Sequence, residues 1–122
     1  MPGTISPDLL RGSTDAIILH LLSLKDSYGY EVYKAIIEIT GEQYELKEAT
    51  LYTAFRRLEE QDCITSYWGD DTTTARRKYY SITEKGREAY RDSAKEWHEA
   101  KALIDRLIDE PRGDPAQEVR QV

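Results

Sequence analysis

Midway along the chain the spacing of apolar residues switches from a helical repeat to a strand repeat, then switches back. Few small folds accommodate that order. Leu51, Phe55 and Leu58 fall at i, i+4 and i+7, the stripe of an amphipathic helix expected over residues 48–61. Ile64–Trp68 and Lys78–Ile82 are rich in β-branched and aromatic residues, and they flank the polar stretch Gly69-Asp70-Asp71-Thr72-Thr73-Thr74-Ala75. That pattern predicts a β-hairpin with a long loop. Thr83-Glu84 then caps a helix expected to run to about residue 108, roughly 39 Å at ~1.5 Å per residue.

Two more helices are expected upstream. Ser6-Pro7-Asp8 has the residues of a helix start, and Leu10, Ile17, Ile18, Leu21 and Leu22 follow at helical spacing. This helix is expected to end near Leu24. A second is expected from Asp26 or Ser27, with Val32, Tyr33, Ile36 and Ile37 turned inward, ending at Gly41. Residues 41–47 connect it to the third helix, with Leu46 docked in the core. Lys47 is a poor cap for that third helix. With 122 residues the chain has the length of one domain and no visible repeat.

Three helices, a hairpin and a long helix make a mainly α fold with a small β-hairpin: a winged helix-turn-helix followed by a C-terminal helix. The expected division is 6–82 for the winged domain, 83–109 for the long helix and 110–122 for a polar tail. In such folds the third helix enters the DNA major groove and the hairpin reaches an adjacent phosphate backbone. Thr50, Tyr52 and Thr53 offer hydroxyls, and Arg56 and Arg57 can neutralise phosphates. Arg76, Arg77 and Lys78 stand at the base of the hairpin loop, and Tyr28 is a further candidate phosphate contact. The net charge of −6 argues against a nucleic-acid binder, but its distribution argues the other way. Between residues 47 and 58, Lys47, Arg56 and Arg57 outweigh Glu48, and Arg76, Arg77 and Lys78 have no acid between residues 72 and 82. Either cluster alone would be read as solvated surface charge; both in the right elements favour DNA.

Three segments resemble the PadR-type transcriptional regulators. Thr50-Leu51-Tyr52-Thr53-Ala54-Phe55-Arg56-Arg57-Leu58-Glu59 resembles the recognition helix of that family. Arg76-Arg77-Lys78-Tyr79-Tyr80-Ser81-Ile82-Thr83-Glu84-Lys85-Gly86-Arg87 resembles its wing and the start of its last helix, and Tyr28-Gly29-Tyr30-Glu31 the start of its second helix. Ala49-Thr50-Leu51-Tyr52-Thr53, Ser66-Tyr67-Trp68-Gly69-Asp70 and Trp97 point to the short subgroup with one C-terminal helix, which includes multidrug-responsive repressors. The resemblance implies a bacterial, cytoplasmic, dimeric repressor. It implies binding to an inverted repeat in double-stranded DNA, release by a small aromatic molecule, and control of an efflux or detoxification gene. It adds Lys47 and Ala49 to the DNA-facing residues. Two departures stand out: Thr53 replaces a common proline, and Asp62-Cys63 replaces a common glycine followed by an aliphatic residue. Asp62 must then turn the chain without glycine's freedom.

The last helix carries a seam. Tyr90, Trp97 and Ile104 recur at seven, as do Ser93, Ala100 and Leu107. A seam without a partner in its own domain points to dimerisation, and a dimer suits two DNA half-sites about one helical turn (~34 Å) apart. Trp97 sits among the small residues Ser93, Ala94 and Ala100, with Leu9, Gly12 and Ala16 of the first helix as possible facing residues. It is either an interface anchor or, as the resemblance implies, one of a tryptophan pair that sandwiches planar ligands. Lys101, one turn on, would favour anionic or neutral aromatics over cationic dyes.

Other classes have less support. The single cysteine, Cys63, makes no internal disulfide and fits a reducing compartment. No basic-then-apolar leader and no membrane-length apolar run is visible, so neither export nor membrane insertion is expected. No metal motif, cofactor loop or nucleophile–base pair suggests an enzyme, a metal or a cofactor. His20 is expected to be a half-buried core histidine and Cys63 a small buried hydrophobe. The main alternative is a winged-helix module that binds protein without specific DNA recognition. A third is a small-molecule carrier.

Overall fold

The computed structural model describes residues 10–69 and 76–111. A 3-10 turn at Arg11–Ser13 leads into α1 (Thr14–Leu24). A two-residue strand β1 (Ser27–Tyr28) precedes α2 (Gly29–Ile39), and α3 (Glu48–Glu60) follows after a connector. Strands β2 (Ile64–Trp68) and β3 (Lys78–Ile82) form the hairpin, and α4 (Glu84–Asp109) closes the order. The expected start of the first helix, residues 6–8, the loop tip at 70–75 and the tail from 112 on lie outside the described residues.

The second helix begins later than expected. Ser27 and Tyr28 pair antiparallel with Tyr80 and Tyr79, making a three-stranded sheet in the order β1-β3-β2. Two residues are too few to show strand alternation, so only the neighbouring strand β3 defines β1. Gly29, with its helical start buried, then opens α2. A Cβ on Gly29 would lie 2.4 Å from the Tyr52 hydroxyl, so glycine lets α3 pack closely at this point. At the other end Glu42 N–H donates to the Ile37 carbonyl and Gly41 N–H to the Glu38 carbonyl. Gly41 (φ +59) and Glu42 (φ +67) both turn left-handed to close this cap.

The core lies where α1, α2 and α3 meet the inner face of the sheet. Ile18, Leu19 and Leu22 come from α1, Val32 and Ile36 from α2, and Leu51, Ala54, Phe55 and Leu58 from α3. The Phe55 ring lies parallel to Tyr80, with centroids 4.3 Å apart. Each large buried side chain contributes roughly 1.5–3 kcal/mol of transfer free energy. Leu46 docks as expected, and Tyr44 is buried beside it.

Between α3 and β2, Asp62 adopts φ +60, the left-handed turn required of it. Cys63 is buried, and its carbonyl accepts from Thr83 N–H at 3.0 Å. Thr83 Oγ1 in turn accepts from Gly86 N–H at 3.0 Å, capping α4. A Cβ on Gly86 would meet the Cys63 carbonyl oxygen at 2.1 Å, so α4 can leave the sheet at this angle only with glycine there. His20 departs from expectation. It is exposed within the chain and stacks on Tyr90 of α4 with centroids 5.5 Å apart.

Candidate nucleic-acid interface

Helix α3 buries one face and presents the rest. Outside its core stripe, Ala49, Thr50, Tyr52, Thr53, Arg56 and Arg57 are all exposed, as is Lys47 at its N-cap. Lys47 makes no side-chain capping bond. The exposed residues fall into two rows. Ala49, Tyr52 and Arg56 form one; Thr50, Thr53 and Arg57 form the other, each at i, i+3, i+7. Tyr52 is divided between roles. Its ring lies edge-on to Phe55 with centroids 5.9 Å apart and backs onto Gly29, and burial raises its phenol pKa. Thr53 Oγ1 donates to the Ala49 carbonyl at 2.9 Å, which leaves its lone pairs as acceptors.

The second row faces the N-terminus of α1. Thr50, Thr53, Ala54 and Arg57 line a cleft of about 250 Å³ together with Gly12, Thr14 and Asp15. Across it the Arg57 guanidinium donates to the Asp15 carboxylate. Arg56, one residue earlier, makes no ion pair among the described residues.

The hairpin carries its cations on aromatic rings. The Arg76 guanidinium lies 5.8 Å from the Trp68 ring centroid, Arg77 4.6 Å from Tyr28 and the Lys78 ammonium 5.6 Å from Tyr80. Tyr28 is therefore a platform for Arg77. On the outer sheet face Tyr28, Tyr79 and Tyr67 stand side by side across the three strands. Tyr67 donates to Asp26 at 2.7 Å, which raises the phenol pKa and ties the hairpin to the α1–α2 connection. Gly69 N–H donates to the Arg77 carbonyl at 2.7 Å and closes the base of the loop.

A second concave feature lies between α1 and α4, a groove of about 650 Å³. Of the residues expected there, Gly12, Ala16, Ser93, Ala94 and Trp97 line it, as do Tyr90 and Ala100. Leu9 lies outside the described residues. Lys101 is not in the lining; its ammonium is 3.8 Å from Asp105, one turn along α4. The charged side chains that do line the groove are Asp15 and Glu96, with His20 and His98. Beyond it, Ile104 and Leu107 of the seam are exposed together with Leu103 and Ile108.

Sequence reasoning missed Trp68, Asp15 and Asp26. Trp68 had a visible signal, a large aromatic beside the loop. The two acids act through contacts 42 and 41 residues away, which spacing does not reveal. Among the described residues no cluster of three His, Cys, Asp or Glu could hold a metal, and no helix is long and apolar enough to cross a membrane.

Known proteins are similar in fold and sequence. A structure of a transcriptional regulator from Clostridium thermocellum is 47% identical, covers 86% of this chain and 99% of its own, and superposes with a TM-score of 0.79. A PadR family transcription regulator from Clostridium difficile is 32% identical with a TM-score of 0.68, covering 79% of this chain and 98% of its own. An uncharacterised protein of Lysinibacillus sphaericus is 42% identical over 105 residues, 86% of this chain and 96% of that one. Residues 18–92 match the transcriptional regulator PadR-like family. That span holds α3, the hairpin and the first turns of α4, and the chain accordingly belongs to the PadR-like family of transcriptional regulators, which are DNA-binding proteins and not enzymes.

Proposed function

We propose that this protein is a homodimeric repressor. Its two α3 helices read the halves of an inverted-repeat operator, its hairpins hold the flanking backbone, and a planar aromatic molecule in the α1–α4 groove releases it. The observation that carries the reading is the distal half of α4. Leu107 is 84% exposed and Ile108 75%, beside a groove edged by Trp97. Apolar residues spaced along one long helix need a covering surface, and a second copy supplies one with the same seam. The groove's acids, Asp15 and Glu96, and the outward position of Lys101 favour neutral or cationic aromatics over the anionic ones suggested by sequence. An efflux or detoxification gene is the fitting target for a sensor of such molecules.

The test is an anisotropy titration of labelled duplex from upstream of the protein's own gene, at low and physiological salt. Tight, salt-sensitive binding that resists random competitor DNA supports the repressor. Adding the neutral naphthalene dye prodan should then release the DNA and quench Trp97. The net charge of −6 favours a second reading, a protein-binding winged-helix module. Weak binding erased equally by random DNA would select it.

A further inference from the structure

Asp15 occupies two sites at once. It lines the α1–α4 groove, and it lines the cleft beside α3, where its carboxylate accepts from Arg57. Gly12, one turn earlier, also lines both. The groove and the cleft beside the exposed row of α3 thus share the 3-10 turn and the first turn of α1.

An acid beside a DNA-reading helix is unfavourable if it acts only as a charge, because it repels phosphate. It is favourable if it holds a guanidinium in place. Arginine has five donors in a planar fork, so one Nη bonded to a carboxylate leaves the others free for a phosphate or a base edge. The pair is also half-exposed on both sides, with 46% of the Arg57 side chain and 36% of the Asp15 side chain accessible. Such pairs are weak in water. Neither residue belongs to the buried core, so the pair can open without disturbing it.

We infer that Asp15 is the positioning residue of the α3 surface: it fixes the Arg57 fork for DNA, and an occupant of the groove that touches Asp15 loosens that fork. The inference rests on the reading of α3 as the DNA-facing helix and of the groove as the effector site. It adds the physical link between them. By linkage, an occupant that weakens DNA binding through Asp15 is itself bound more weakly by the DNA complex, by the same factor.

Asp15→Asn keeps shape and removes the charge. A carboxylate acting only as a charge predicts tighter DNA binding in this variant. Positioning predicts the opposite: affinity about tenfold weaker at physiological salt. The slope of log K against log salt should be shallower by about 0.9 for each α3 engaged. Asp15→Asn combined with Arg57→Ala should bind no more weakly than Arg57→Ala alone. Arg57→Lys keeps the charge but loses the fork, and should fall as far as Asp15→Asn; it serves as the independent check if Asp15→Asn misfolds. Prodan should release wild-type DNA and bind Asp15→Asn without changing its DNA affinity. Asp15→Asn or Arg57→Lys binding as tightly as wild type overturns the positioning role. Equal release of both proteins by prodan overturns the link to the groove. Wild-type protein that binds no duplex overturns the repressor reading and this inference with it, which separates the two failures.

Discussion

Helices α3 and α4 are both amphipathic, yet they treat their apolar residues in opposite ways. In α3, 13 residues long, Leu51, Ala54, Phe55 and Leu58 are all buried. In α4, 26 residues long, Gly86 alone is buried, while Leu103, Ile104, Leu107 and Ile108 stand exposed. The same kind of pattern therefore specifies a core in one helix and a surface in the other. What differs is the supply of partners. α1, α2 and the sheet enclose α3, whereas α4 touches α1 near Ala89 and Tyr90 and then outruns its own domain.

Substitutions in the two helices should separate accordingly. Phe55→Ala removes a ring stacked on Tyr80, and it should cost about 3–5 kcal/mol in urea unfolding. Ile104→Asp with Leu107→Asp should leave the far-ultraviolet spectrum unchanged and move the sedimentation coefficient to that of a monomer, a loss of at least about 2 kcal/mol of association. If that double variant unfolds like Phe55→Ala, the contrast between the helices is wrong. Gly86→Ala probes the junction. Its Cβ cannot coexist with the Cys63 carbonyl, so thermal unfolding should show a loss of about 1–3 kcal/mol. Arg76→Ala with Arg77→Ala should leave folding intact and flatten the salt dependence of DNA binding by about 0.9 for each phosphate no longer neutralised.

The smallest effect concerns pH. Tyr33 donates to Glu45 in the connector that leads into α3, and this bond pushes its phenol pKa up to about 12, from about 10 in a free side chain. A raised folded-state pKa means that the stabilisation is complete below about pH 10 and is lost as pH climbs through about 12. Tyr33→Phe should abolish the latest phenol transition in an ultraviolet titration. The Tyr67–Asp26 bond shifts its phenol in the same direction and should remain visible in the variant.

Local signals marked much of this molecule. The hairpin strands follow from their β-branched and aromatic runs and α4 from its Thr83 cap, while the left-handed turn at Asp62 follows from the resemblance, whose members commonly carry glycine there. Whatever depends on a distant neighbour was hidden. β1 exists because β3 lies beside it, and Ala54 and Tyr44 are buried by elements from other parts of the chain. The candidate site divides along the same line. The basic residues of α3 and the hairpin could be named from their elements. Their tethers could not: Asp15 for Arg57, Tyr28 for Arg77 and Trp68 for Arg76 are made by folding. Lys101 illustrates the converse. Helical spacing placed it one turn from Trp97, but Asp105 lies one turn away on the other side, and the ammonium pairs with that carboxylate instead.

The junction at Gly86 has a consequence for scale. α4 is fixed at one end, where its first turn rests on the Cys63 carbonyl, and it then extends for roughly 39 Å. Packed on α1 no further than the residues around Tyr90 in the core, it has the proportions of a lever with a short inner arm. A tilt of about 5° at the fulcrum carries the far tip by roughly 3 Å, the width of one residue step along a strand. Any displacement at the junction would be magnified in that proportion at the other end of the helix, and the width of one hydrogen atom at position 86 sets the angle from which it would start.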